Sequence, residues 1–223
     1  MPFDLPVEGH RAAIVYAPVG ATSRRPVLIA THGTYDVPEW FCPFFRDAAG
    51  KDAFVVCPRG VPRSDGAHMP SGEAFYTYAG NVALEKEVEA SLAALRARFP
   101  DHVDDHAPIY LGWSLGALTA NAMIARHPER FPRVVLAEGT TAWTAATARA
   151  FAAAGGKRVL YICGQPGCVT ASNAASVLLE QAGIATKIVY AKGGDHAIQG
   201  PVAEQLRAAF PWITADDPRW SPP

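Results

Sequence analysis

Residues 109–120 read IYLGWSLGALTA. An apolar run ends in Gly112-Trp113-Ser114-Leu115-Gly116, and an Ala/Leu-rich run follows. A short buried strand is expected to pass through a sharp turn into a helix. Side chains at the two glycine positions would meet neighbouring backbone in so tight a turn. The turn lifts the Ser114 hydroxyl out at the carboxyl end of the strand. The helix that starts behind it aims the Leu115 N–H at the same point. The spacing G-x-S-x-G arises often by chance, and it gains meaning here from the strand-to-helix context.

The same alternation extends in both directions. Strands are predicted over 11–18, 25–33, 53–58, 109–112, 133–137, 158–163 and 186–190. Helices are predicted over 39–49, 81–98, 115–126, 144–154, 171–182 and 201–210. In the strongest helix, 81–98, Val82, Leu84, Val88, Leu92 and Leu95 form the apolar stripe, with Glu85, Lys86, Glu87 and Glu89 on the polar side. Residues 59–79 are rich in Gly, Pro and Ser and show no period, as expected of a functional loop. Repeated strand–helix units imply a mainly parallel sheet covered by helices on both faces. No repeat or linker interrupts them, so a single domain over 1–223 is expected.

The 223 residues carry a formal net charge of -1, and 49 % are hydrophobic. No Lys/Arg-rich run or basic stripe suggests nucleic acid as a partner, and no apolar run has membrane-spanning length. The first residues lack a basic segment followed by a long apolar one. A cytoplasmic location is the default expectation, with a secreted protein whose leader has been removed as the alternative. Cys42, Cys57, Cys163 and Cys168 form no metal-binding spacing. Buried free thiols are the favoured reading, and a Cys163–Cys168 bridge is the alternative. His102 and His106 flank Asp104 and Asp105 in HVDDH, which reads as a solvated loop. No metal, nucleotide or flavin motif is present, so no cofactor is expected. Nothing in the sequence fixes an oligomeric state.

Three motifs, THG at 31–33, GWSLG at 112–116 and GGDHA at 193–197, lie in an element order that resembles the α/β-hydrolases. The likeness is to the small, cap-less carboxylesterase, phospholipase and dienelactone-hydrolase-like members, and it spans nearly the whole chain. It implies a three-layer α/β-hydrolase fold with a mainly parallel central sheet and no large cap domain. Dienelactone hydrolases have a cysteine where this chain has Ser114, so their substrate is not implied. The resemblance makes Ser114 the nucleophile and His196, behind the last strand, the general base. It places one oxyanion donor at the Leu115 N–H and the second just after the His32-Gly33 pair. That second donor is the N–H of Thr34, with Tyr35 as the second choice. His32 itself reads as structural.

Imidazole needs a partner on its other nitrogen. The usual family position follows the strand 158–163, but residues 164–179 contain no carboxylate. The loop there reads GQPGC, and Gln165 carries no charge. One strand earlier, Glu138 stands at the carboxyl end of 133–137. Strand ends of a parallel sheet face one crevice, so a neighbouring strand can supply the acid. The order Ser114, Glu138, His196 keeps the family's sequence of serine, acid, histidine. Two alternatives stand beside it: Asp195, next to His196, and no acid at all.

No insertion between 137 and 144 is long enough for a lid, so an open cleft is expected. The loop 59–79, with His68, Met69, Phe75, Tyr76 and Tyr78, is the candidate wall. Tyr35, Tyr76, Trp113 and Trp143 are the candidate substrate-lining residues. The expected activity is hydrolysis of carboxylic esters through an acyl-enzyme, on a small-molecule or polymer-end ester. The alternatives are a hydrolase-fold binding protein with little turnover and an acyltransferase using the same site.

Overall fold

A computed structural model describes residues 1–69, 71–140 and 142–220, with Asn121 as backbone only. The chain runs β1 (Phe3–Leu5), β2 (Ala13–Tyr16), β3 (Val27–Thr31), α1 (Pro38–Ala49), β4 (Phe54–Cys57), β5 (Val61–Pro62), β6 (Tyr76–Thr77), α2 (Asn81–Arg98), β7 (Ile109–Trp113) and α3 (Leu115–Arg126). It continues through β8 (Arg133–Ala137), α4 (Ala145–Ala153), β9 (Arg158–Cys163), α5 (Pro166–Gln181), β10 (Ala185–Tyr190), α6 (Pro201–Thr214) and a 3-10 turn (Pro218–Trp220).

Among these residues one eight-stranded sheet has the order β1-β2-β4-β3-β7-β8-β9-β10. The pairs from β4 through β10 are parallel, while β1–β2 and β2–β4 are antiparallel. Every residue of β3, β7 and β8 is buried, because helices cover both faces. Successive residues feed opposite layers. Tyr110 joins Phe54, Phe131, Phe151 and Tyr161 under α2 to α5. Leu111 joins Cys42, Phe45, Leu206 and Phe210 under α1 and α6. β3 lies between β4 and β7. The strand order reverses direction there, and the carboxyl ends of β3 and β7 open on the crevice that such a reversal creates.

Several elements depart from the sequence reading. The strand β1 and the small hairpin β5–β6 were not expected, and neither was the 3-10 turn. In α2 the apolar stripe is narrower. Val82 is 56 % exposed, whereas Glu85 and Glu87 are buried. Each buried carboxylate is satisfied by partners. Glu85 Oε2 accepts from Arg126 Nε at 2.8 Å, and its Oε1 from Arg130 Nη1 at 3.1 Å. Glu87 accepts the Gly60 N–H at 2.8 Å.

Helix α5 starts at Pro166 rather than at 171. Pro fits the first position of a helix, where its missing N–H costs nothing. Helix α6 runs past Pro211 to Thr214. Its last carbonyls are held by guanidinium groups. Arg133 donates to Ile213 O at 2.7 Å and Arg158 to Trp212 O at 2.9 Å, as the negative end of a helix dipole favours. The favoured free-thiol reading of the cysteines is overturned. Cys42 and Cys57 form a disulfide between α1 and β4, and Cys163 and Cys168 form a second between β9 and the first turn of α5.

Candidate active site

The turn from β7 to α3 is built by backbone contacts. The Ser114 N–H donates to Ala137 O at 2.8 Å, and the Gly116 N–H donates to His32 O at 3.1 Å. A Cβ on Gly116 would stand 2.3 Å from Thr31 Oγ1 and 2.7 Å from Thr31 O, so only glycine lets α3 pack this close to β3. Ser114 is held at φ 49°, and its side chain points out over the sheet edge toward the loop after β10.

There the Ser114 hydroxyl donates to His196 Nε2 at 2.9 Å. The Nδ1–H of His196 donates to Glu138 Oε2 at 3.0 Å. These partners assign the tautomer. The three side chains come from the carboxyl ends of β7, β8 and β10. The hydrogen bond from His196 to the Glu138 carboxylate holds the imidazole above its ordinary pKa, against the opposing effect of burial.

The loop GQPGC receives a physical explanation here. The Gly164 N–H donates to Glu138 Oε1, and the Gln165 N–H donates to the same oxygen at 3.2 Å. Both lie where α5 begins, an end at which a helix dipole favours a carboxylate. A Cβ on Gly164 would stand 2.1 Å from Asp195 O. The loop that carries His196 therefore rests directly on Gly164 and leaves no room for a side chain there. The segment cradles the acid from the next strand instead of supplying one. The side chain of Asp195, the rival acid, makes no bond to His196, and its backbone braces the loop.

Ser114 and His196 open on a cleft of about 740 Å³. Thr34 lines it. Neither the Thr34 N–H nor the Leu115 N–H is taken by a protein acceptor among the described residues. His32 is buried with its Nε2 2.9 Å from Arg59 O, and burial lowers its pKa. It serves the packing of the loops, as its sequence position suggested.

Of the four candidate lining residues, two face the cleft. Trp113 is buried beside it, 5.2 Å from the His196 ring and stacked on Phe41 at 6.3 Å. Tyr35 is at φ 59°, with the Arg63 guanidinium 3.4 Å over its ring and its hydroxyl donating to Asp65 at 3.0 Å. The other two are corrected. Trp143 packs on Phe151 and borders a separate depression against α5. Its nearness to Glu138 in sequence is undone by the turn that leads into α4. Tyr76 borders a neighbouring hollow with Glu39, Arg59 and Met69, on the far side of Trp40. The loop 59–79 touches the cleft wall through Phe75, whose ring meets Tyr35 and Trp40 edge-on.

The sequence reading missed Asp36, Trp40, Phe41, Phe44 and Ile198, all on the cleft. Phe41 and Phe44 come from α1, whose Phe45 is buried in the core. Asp36 gave no signal beyond its place three residues after Gly33. Its Oδ2 accepts the Gly33 N–H at 2.8 Å, and burial pushes its carboxyl up to about 7.

Among the described residues five that are not glycine have positive φ, and four of them, Tyr35, Ser114, Glu138 and Asp195, stand around this site. Such conformations cost about 1–3 kcal/mol each and collect at functional positions.

Comparison with known proteins agrees with the fold. A sequence-family model described as alpha/beta hydrolase fold matches residues 26–175. A search of curated proteins gives no significant match. Among solved structures, a protein from Klebsiella pneumoniae subsp. pneumoniae assigned by name as a dienelactone hydrolase superposes with a TM-score of 0.72 at 15 % identity, covering 97 % of this chain and 98 % of its own. The Bacillus cereus carboxylesterase gives 0.63 at 18 % identity, with 90 % and 93 % covered. Est1E from Butyrivibrio proteoclasticus gives 0.63 at 13 % identity, with 96 % and 99 % covered. At these identities the likeness is one of fold.

Proposed function

The chain belongs to the α/β-hydrolase fold family, and from that premise we propose that it is a serine hydrolase of carboxylic esters working through an acyl-enzyme. The observation that carries the proposal is the unbroken hydrogen-bonded line from Ser114 through His196 to Glu138. The esterase names among its structural neighbours agree with it.

In this reading Ser114 Oγ attacks the ester carbonyl while its proton passes to His196 Nε2. Glu138 keeps Nδ1 protonated and stabilises the imidazolium as it forms. The carbonyl oxygen becomes an alkoxide that accepts from the Leu115 and Thr34 N–H groups. The intermediate collapses by breaking the bond to the leaving alcohol, which takes the proton back from Nε2. A water molecule repeats the cycle on the acyl-enzyme, releasing the acid and restoring Ser114. The missing carboxylate in GQPGC is the feature behind the alternative of a binding protein with little turnover. Glu138, cradled by that same loop, weighs against it.

The test is release of p-nitrophenol from a short-chain ester by wild type and Ser114→Ala side by side. Turnover is expected to fall by at least about 10³-fold in the variant. Equal rates would mean that the β7–α3 turn is architecture alone.

A further inference from the structure

A carboxylate lines the cleft, and the proposed ester chemistry gives it no task. Asp36 closes the turn after β3. Its Oδ2 accepts the Gly33 N–H at 2.8 Å, and its carbonyl accepts the Tyr76 N–H at 2.9 Å. Its Oδ1 has no hydrogen-bond partner among the described residues. A Cβ on Gly33 would lie 2.5 Å from Asp36 Oδ2 and 3.1 Å from Ser114 Cβ. The carboxylate is thus within about 6 Å of the nucleophile's carbon, a range over which one charge acts strongly on another. Among the described residues no other carboxylate and no lysine or arginine lines the cleft. The nearest arginines are each paired with a carboxylate: Arg59 with Glu39 at 2.6 Å, and Arg63 with Asp65, although Arg63 also donates to Thr34 Oγ1 and lies over the Tyr35 ring at the cleft rim.

The rest of the wall is aromatic. Trp40 is 48 % exposed and braced edge-on by Phe75 at 5.9 Å. Phe41 and Trp113, which also line the cleft, stack on each other. This combination has a consequence for the ester that enters. The alkoxide that forms on the attacked carbonyl would stand close to the Asp36 carboxylate, and two negative charges repel. With a neutral ester only the His196 imidazolium formed in the same step, which Asp36 also faces, offsets that repulsion. An ester with a cationic nitrogen near the carbonyl cancels it, and tryptophan faces attract such a cation.

We propose that Asp36, with the Trp40 wall, makes the cleft selective for esters that carry a cationic nitrogen a few bonds from the scissile carbonyl. The proposal rests on the reading of Ser114 as an esterase nucleophile. The carboxyl, held up at about 7 by burial, is mostly ionised at pH 8, where the test belongs.

The experiment compares kcat/KM at pH 8 for acetylthiocholine and for its uncharged analogue with carbon in place of the quaternary nitrogen. Wild type is expected to prefer the charged ester by about tenfold. Asp36→Asn still offers an oxygen to the Gly33 N–H and should bring the preference to within about twofold. Trp40→Leu, at a half-exposed position, should lower it by about threefold. Equal efficiency on both esters in wild type overturns the selectivity and leaves the esterase reading standing. No turnover of either ester by wild type overturns both. A second measurement needs no turnover: tryptophan fluorescence titrated with tetramethylammonium chloride at constant ionic strength. Saturable binding that weakens in Asp36→Asn supports the proposal, and identical titrations for the two proteins overturn it.

Discussion

At the residue scale the geometry turns on one carboxylate. Glu138→Gln keeps the size of the side chain and an oxygen for the α5 amides, but it no longer offers a charge to His196. Its kcat is expected to fall by about 10⁴-fold, the loss typical when such an acid is made neutral. The sign of the pH effect follows from the raised pKa of His196. The base must be neutral to act, so wild-type kcat/KM should fall, as pH drops, at a midpoint above the ordinary histidine value. Glu138→Gln should move the midpoint of its residual activity downward. A midpoint that stays put would separate Glu138 from the base. Ser114, His196 and Glu138 were legible because each follows a strand, and a parallel sheet gathers strand ends. Asp36 was not, because its position depends on a turn that folds a side chain back on its own backbone. Trp143 misled because closeness in sequence to Glu138 says nothing about direction beyond a turn.

At the scale of elements, the first turn of α5 joins a disulfide to the site. Gly164 and Gln165, immediately before that turn, supply the amides that hold Glu138 Oε1, and the Cys163–Cys168 disulfide ties the turn to β9. The variant Cys163→Ala/Cys168→Ala should lose about 2 kcal/mol, the entropy of a short closed loop. It should also lose turnover, because the cradle of Glu138 loosens with the bridge. Urea melts and kcat measured together check both halves, and unchanged kcat in the folded variant would show that the helix start holds its place without the bridge. The sequence reading placed most boundaries within a few residues, since apolar runs and helical periods follow from burial. It missed the start of α5 because GQPGC was read as a loop, though Pro equally opens a helix. The Cys42–Cys57 bridge was out of reach, since it depends on α1 packing over β4. The stripe of α2 was drawn too wide because a period cannot tell a paired, buried glutamate from a solvated one.

At the scale of the whole molecule the sheet has two working edges. The carboxyl ends of the strands hold the candidate chemistry, and the amino ends hold the chain together. Arg133, buried at the start of β8, donates to Ile213 O and lies 3.7 Å from Asp217. Arg133→Met would leave that carbonyl and carboxylate buried with one partner fewer. It should cost about 3 kcal/mol in a urea melt, with kcat unchanged while the protein is folded. A fall in kcat at full folding would mean that the two edges are coupled. The strand order was foreseen only as far as parallel and two-faced, because pairing among strands is set by which helix crosses which face. The positive φ angles at Tyr35, Ser114, Glu138 and Asp195 carry a last consequence, for anyone evolving this protein in the laboratory. A library sorted for heat resistance or yield alone would enrich glycine at these four positions, since glycine accepts such angles freely. The sturdiest clones would be the inert ones, so every round of sorting needs a turnover screen beside it.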